Sequence, residues 1–239
     1  MREPAAAGVL GTPDASCALG ILGGTFDPVH FGHLRLAEEA RLQLGLAAVR
    51  WIPAGQPGHR HTPTAAAAHR LAMVRLAIAG QPAFQLDDGE VLSSAPSYSV
   101  PTLQRLRAER GALQPLVLLL GADAFLGLES WHRWRELFGL AHIAVATRPG
   151  FALALAALPP LLATEFVARA TTTLADLHSA PAGRILSFPI TPLAISATQL
   201  RAQLKAGYAH KQGQGQGHSV RYLLPDPVLD YIFLHQLYS

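Results

Sequence analysis

Cysteine is nearly missing: Cys17 is the only one in 239 residues. That excludes an internal disulfide and a thiolate metal cluster. Charge is also sparse, with Asp, Glu, Lys and Arg making up 15% of the chain. Nineteen basic residues against sixteen acidic ones leave a formal charge of +3. The basic residues form no run or stripe, so no nucleic-acid partner is expected, and the mild excess suits a small anionic ligand. Long apolar runs are absent. No window reaches the roughly eighteen uninterrupted apolar residues of a membrane helix, and no membrane partner is expected. "FALALAALPPLLA" is short and interrupted at Pro159-Pro160, and reads as buried or loop-flanking structure. The first residues lack the compact apolar core of a secretory signal. With the single cysteine, this points to the reducing cytoplasm.

What is present is a globular composition, half hydrophobic, long enough to bury a sizeable core. Residues 1–17 read as a loose N-terminal extension and 18–239 as one domain. Short apolar runs alternate with helical patterns. "ALGILGG", "VRWIPAG", "AFQLDD", "PLVLLLGAD" and "AHIAVATRPG" read as strands. Helices follow at "HFGHLRLAEEARLQLG", with Leu36, Ala37, Ala40 and Leu44 on one stripe, and at "TAAAAHRLAMVRLAIAG", with Leu71, Val74 and Ile78 on another. A third is expected at "SYSVPTLQRLRAERG". This alternation predicts an α/β, Rossmann-like, doubly wound parallel sheet. "YLLPDPVLDYIFLHQLY" predicts a small C-terminal helical appendage, and "HKQGQGQGH", about 210–218, a low-complexity surface loop. Ligands of such sheets bind beyond the carboxyl ends of the strands. "GGTFDP", "PAGQPGHR", "GADAF" and "ATRPG" all fall there.

Two stretches carry the chemistry. In "GILGGTFDPVHFGHLRL", Gly23 and Gly24 end a strand, and His30 and His33 share one face of the next helix's first turn. A helix N-terminus with two imidazoles suits phosphate oxygens. Asp27, His30 and His33 could also ligate a metal, or the histidines could be capping or core residues. All three readings stay open on this stretch alone. In "PITPLAISATQLRAQL", Ser196 and Gln199 have capping-box spacing, so Thr198 and Arg201 lie on the first turns of another helix.

Together, "GGTFDPVHFGH" and "ISATQLR" resemble the paired signatures of the nucleotidyltransferase superfamily with the HxGH motif. "APSYS", "GADAFLGLESWHRW", "ATRPG" and "YLLPDPVLDYI…LY" narrow the likeness to the bacterial nicotinate-nucleotide adenylyltransferases, over about residues 18–238. The resemblance implies transfer of AMP from ATP to nicotinate mononucleotide, giving deamido-NAD and pyrophosphate. It places Gly23, Gly24, Thr25, Phe26 and Gly32 along the nucleotide, with His30 and His33 on its phosphates. Ser196, Thr198 and Arg201 would hold the same phosphates from the opposite side, with His30, His33 and Arg201 as the catalytic set. Gly121 and Asp123 would meet ribose or adenine. His59, Arg60, Ser97, Tyr98, Ser99, Trp131 and Arg148 would serve the mononucleotide, with Trp134 left to the core.

Mg²⁺ is implied as the ion that accompanies ATP, with no dedicated protein metal site; Asp27 is a candidate to reach it through water. Homo-oligomerisation is left open. Departures from the family pattern are "PGHR", Pro57 to Arg60, where Gly58 replaces a proline and is expected to loosen the loop, and Ser99 in place of threonine. The Gly/Gln-rich stretch is an insertion expected to be disposable. Rival readings are a sister transferase for nicotinamide mononucleotide or phosphopantetheine, a metalloprotein built on Asp27, His30 and His33, and a non-catalytic nucleotide sensor.

Overall fold

A computed structural model of the chain describes residues 17–58, 62–148, 153–211 and 219–239, with side chains up to 207 in the helix that ends at 211. The strands are β1 (Leu19–Gly24), β2 (Ala48–Pro53), β3 (Phe84–Leu86), β4 (Leu116–Gly121), β5 (His142–Thr147) and β6 (Ile185–Pro189). The helices are α1 (Phe31–Gln43), α2 (Ala67–Ile78), α3 (Gly89–Leu92), α4 (Ser99–Arg110) and α5 (Ala122–Leu126). They continue with α6 (Leu137–Leu140), α7 (Pro160–Arg169), α8 (Asp176–Ser179), α9 (Ala197–Lys211) and α10 (Asp226–Leu234). The strands form one sheet in the order β3-β2-β1-β4-β5-β6, every pairing parallel. The order reverses between β1 and β4, and that switch opens a crevice at their carboxyl ends.

Period-two alternation in the strands splits the core into two layers. Leu116, Leu118 and Leu120 of β4 face α4, α5, α6 and α7, together with Ile143 and Val145 of β5. Val117 and Leu119, with Ala144 and Ala146, face the other side, where α1 and α2 pack. Leu200 and Leu204 of α9 and Val228, Leu229 and Ile232 of α10 belong to that second layer. The C-terminal helices are therefore part of the sheet's cover rather than an outlying attachment. Each fully buried Val, Leu or Ile there contributes about 1.5–3 kcal/mol.

The expected stripes fall inward, with Ala37, Ala40 and Leu44 buried on α1 and Val74 and Ile78 on α2; Gly45 ends α1 at φ +63°. Besides the short helices α3, α5 and α6, three elements escaped the sequence reading. β6 has five residues and alternates buried with exposed at the sheet edge, a weaker signal than the unbroken run of β4. α7 starts at the Pro159-Pro160 pair, which had been read as an interruption. Pro160 instead occupies the first helical turn, where proline's missing N–H costs nothing. α8 is a single turn. Residues 1–16 and 212–218, including most of the expected extension and low-complexity loop, lie outside the described residues.

Candidate active site

β1 delivers its last two glycines to the crevice, and the chain turns through Thr25–Val29 into α1. Phe26 takes a left-handed φ of +50°. Its ring is buried against Trp51, at 5.5 Å between centroids, and meets the His33 ring edge-on at 5.1 Å. A Cβ on Gly24 would stand 2.9 Å from the Phe26 ring, so glycine is required there by packing. The space around Gly23 is open. Gly32 had been expected to leave room for a ligand; the nearest atoms to a Cβ there are the His30 Nδ1 and Cε1, both at 3.0 Å. Glycine at 32 thus first accommodates the His30 ring.

His30 caps α1 from an extended backbone, and its main-chain N–H donates to His33 Nδ1 at 3.3 Å. That bond makes Nδ1 of His33 an acceptor, which puts the proton of the neutral ring on Nε2 as a donor. The two imidazoles lie 3.8 Å apart between centroids. Burial pushes the His30 pKa down from 6.5 to about 4. His33 is held well below its ordinary value by burial and by the neighbouring His30. Both rings are neutral at pH 7. His30 Nδ1 is buried and meets no hydrogen-bond partner. His142 shows the contrast: fully buried, it donates from Nε2 to Ala180 O at 2.8 Å and accepts the Arg184 N–H on Nδ1. His142 is a satisfied structural histidine, whereas His30 still has a ring nitrogen to offer. The first-turn amides of α1 are partly spent, with Phe31 N–H on Leu223 O and His33 N–H on His30 O. The Gly32 amide donates to no described residue.

Asp27 does not behave as a metal ligand. Its buried carboxylate accepts the Thr64 N–H at 2.7 Å, the Ala65 N–H at 3.1 Å and the Tyr238 hydroxyl at 2.7 Å. Among the described residues no group of three His, Cys, Asp or Glu side chains could hold a metal ion. Asp27 is instead a hub that joins the loop after β1 to the approach to α2 and to the C-terminal residues. Arg201 completes it, donating from Nη1 to Asp27 O at 2.7 Å and from Nη2 to Thr198 Oγ1 at 3.4 Å. Part of the guanidinium expected on phosphates is therefore spent in bringing α9 against the loop after β1; three of its five N–H donors remain. Ser196 Oγ accepts the Gln199 N–H at 3.2 Å, the expected cap of α9. Ile195 O lies 4.0 Å from a Cβ built on Gly32, so the starts of α1 and α9 face each other.

Two residues that sequence reasoning missed hold this arrangement. Arg70 of α2 is buried and donates to the carbonyls of Thr25, Gly55 and Ala65, pinning the loop after β1 and both ends of the loop after β2. Glu39 of α1 accepts the Thr191 N–H with both oxygens, at 2.9 and 3.1 Å, and tethers the β6–α9 connection to α1. An Arg and a Glu in amphipathic helices look like solvated residues in a sequence; only their burial reveals them.

Beyond β2, the Ser97 hydroxyl accepts the N–H groups of Gly55 at 2.9 Å and Gln56 at 3.2 Å, so it faces the loop rather than open space. Tyr98 caps α4, and its ring lies 4.6 Å from that of His132. Gly58 was expected to loosen its loop. A Cβ at 58 would come within 2.4 Å of the Tyr98 ring, so the glycine admits a close seat for that ring instead. Ser99 opens α4. Gly121 caps α5, and Asp123 is exposed in its first turn. Trp131 is half-buried at the edge of the core layer that faces α4 to α7, and Trp134 is buried in it as expected. Arg148 is exposed just past β5. His59 and Arg60 lie outside the described residues.

Residues 21–203 match the model of the cytidylyltransferase-like family. A protein of Dechloromonas aromatica named "Probable nicotinate-nucleotide adenylyltransferase" is 57% identical over 220 residues, covering 92% of this chain and 97% of the relative. The chain belongs to the nicotinate-nucleotide adenylyltransferase family. A second member with the same name, from Laribacter hongkongensis, is 50% identical over 92% of this chain and 94% of its own. The Plasmodium falciparum nicotinic acid mononucleotide adenylyltransferase complexed with NaAD shares the fold, with a TM-score of 0.64 over 93% of this chain and 97% of that one, at 16% identity.

Proposed function

We propose that this member of the family transfers AMP from ATP to nicotinate mononucleotide, giving deamido-NAD and pyrophosphate. The observation that carries the reading is the meeting of two phosphate-suited helix starts, α1 with His30 and His33 and α9 with Ser196, Thr198 and Arg201, at the switch point of the sheet. In the reaction an oxygen of the mononucleotide phosphate attacks the α-phosphorus of ATP. The new O–Pα bond forms as the bond from Pα to the β-bridging oxygen breaks, and pyrophosphate leaves with that electron pair.

A phosphate monoester is already largely dianionic at pH 7, so no general base is needed. The work left to the protein is alignment and relief of charge. Neutral imidazole N–H groups, the Gly32 amide and the remaining Arg201 donors suit phosphate oxygens. Bound polyphosphate would also favour a proton on the histidines, against their burial. These donors do not suit a cation, and the buried Asp27 carboxylate already accepts three hydrogen bonds from the protein, which tells against the water-mediated role considered for it. Mg²⁺ fits as an ion carried on the phosphates of ATP, where it supplies further charge relief without a protein cage. On the acceptor side, Tyr98 and Trp131 supply aromatic faces for a flat pyridine ring, with Ser99 and Arg148 at the rim. The proposed site of action is the cytoplasm, on the ground of the single cysteine; among the described residues no helix is long and apolar enough to cross a membrane.

The test is pyrophosphate release from ATP and Mg²⁺ with nicotinate mononucleotide, nicotinamide mononucleotide or phosphopantetheine as acceptor. The acid mononucleotide is expected to give the highest kcat/KM. A preference for either of the others would reassign the acceptor, and ATP binding without pyrophosphate release would make the chain a sensor.

A further inference from the structure

Glu90 of α3 lies outside the set of residues assigned to phosphates or pyridine, yet it ends a chain of hydrogen bonds that begins in the loop after β2. The Thr102 hydroxyl of α4 donates to Glu90 Oε1 at 2.5 Å, and the Ser97 hydroxyl is near enough to pull the carboxyl's pKa down with it. A serine hydroxyl has two lone pairs and one hydrogen. Both lone pairs of Ser97 accept the amides of Gly55 and Gln56, which leaves its hydrogen to donate, and the Glu90 carboxylate is an acceptor beside it. The relay so read runs from the loop amides to Ser97 and from Ser97 to Glu90.

Independent contacts hold the same loop. A Cβ on Gly55 would stand 2.0 Å from Glu90 O, so the main chain of α3 rests directly on the loop. Ser97 N–H donates to Gln56 O at 2.8 Å, and Arg70 takes Gly55 O at 2.9 Å. The loop then passes under the Tyr98 ring at Gly58. Burial raises the Glu90 pKa above its ordinary value, against the pull of the Thr102 and Ser97 hydroxyls; Asp87 adds to the rise and Arg105 of α4 opposes it. A carboxyl kept in such a place needs both hydroxyls to satisfy it.

We propose that Glu90 is a positioning residue for the acceptor mononucleotide: by orienting Ser97 it fixes the backbone of Gly55 and Gln56 beside Tyr98, without touching substrate. What the loop binds rests on the adenylyl-transfer reading above. Glu90→Gln is the isosteric test, because a carboxamide oxygen accepts from one hydroxyl while its NH₂ can only donate. Glu90→Ala removes both acceptors.

KM for nicotinate mononucleotide is expected to rise about tenfold in both variants, with KM for ATP within about twofold of the parent. Amide exchange in the peptide carrying Gly55 and Gln56 should quicken. Ser97→Ala should reproduce the effect, and the Glu90→Ala, Ser97→Ala double variant should be no worse than the more affected single, since the two act in series. An unchanged mononucleotide KM with unchanged exchange overturns the proposal. So does a parallel rise of both KM values with a falling Tm, which marks general loss of structure. If the parent protein does not adenylylate the mononucleotide, the functional reading fails, and the exchange experiment still decides whether Glu90 holds the loop.

Discussion

Tyr238→Phe tests the hub at Asp27 with the smallest possible change. The Tyr238 hydroxyl donates to Asp27 Oδ1 at 2.7 Å, and both residues are buried, at 7% and 5% exposure. Phenylalanine keeps the ring and removes only the donor. The carboxylate then retains the amides of Thr64 and Ala65, with the Arg201 guanidinium 3.9 Å away. A hydrogen bond to a charged group contributes about 1.5–3 kcal/mol, and no water has a ready path to replace this one. The expected loss is about 2 kcal/mol in urea denaturation followed by tryptophan fluorescence, or about 4–8 °C in Tm for a chain of this size. Tyr238→Phe should cost much less in an Asp27→Asn background, because the two residues share one interaction. Because Asp27 sits between β1 and α1, kcat should also fall, with the apparent ATP affinity weakened. A loss below about 0.5 kcal/mol, or full additivity in the double variant, refutes the hub, since surface changes alone reach that size.

His33→Ala should lower kcat by about 10²–10³-fold, the range for removing one donor aimed at developing charge. Its Tm should fall by only about 2–4 °C, from loss of the His30–His33 cap; near-normal turnover would remove His33 from the phosphates. His30 titrates near 6.5 in the unfolded chain and near 4 in the fold. Between those values the unfolded chain binds more protons, so stability should drop by about 3 kcal/mol as pH falls from 6.5 to 4. Urea midpoints across that range should be flatter in His30→Asn, and an equal slope in both proteins would refute the assignment. Gly58→Pro should force the Tyr98 ring from its seat, costing about 1–3 kcal/mol by overpacking and raising the mononucleotide KM; unchanged values for both would show that the ring tolerates the proline.

The sequence by itself determined the architecture, because period and punctuation are local. The unbroken Leu116–Leu120 run could only be a strand covered on both faces, and Gly45 and the Ser196–Gln199 pair mark helix ends whose geometry is set within a few residues. It also determined that His30 and His33 share a face, since that follows from helical spacing alone. What it left open was which atoms are free. Asp27, His30 and His33 also read as metal ligands until burial and partners were known: Asp27 accepts from Thr64, Ala65 and Tyr238, while the buried His30 Nδ1 meets no partner. Arg201 and Ser97 were read as facing ligands, and tertiary contacts turn part of the first and the oxygen of the second toward the protein's own backbone. Gly58 read as a loosened loop until the Tyr98 ring was found against it. Tyr238 lies 211 positions from its partner, and Arg70 joins the loops after β1 and β2, which no local pattern connects. Hydrogen-bond satisfaction is a property of the packed chain, and that is why the tertiary structure alone decided it.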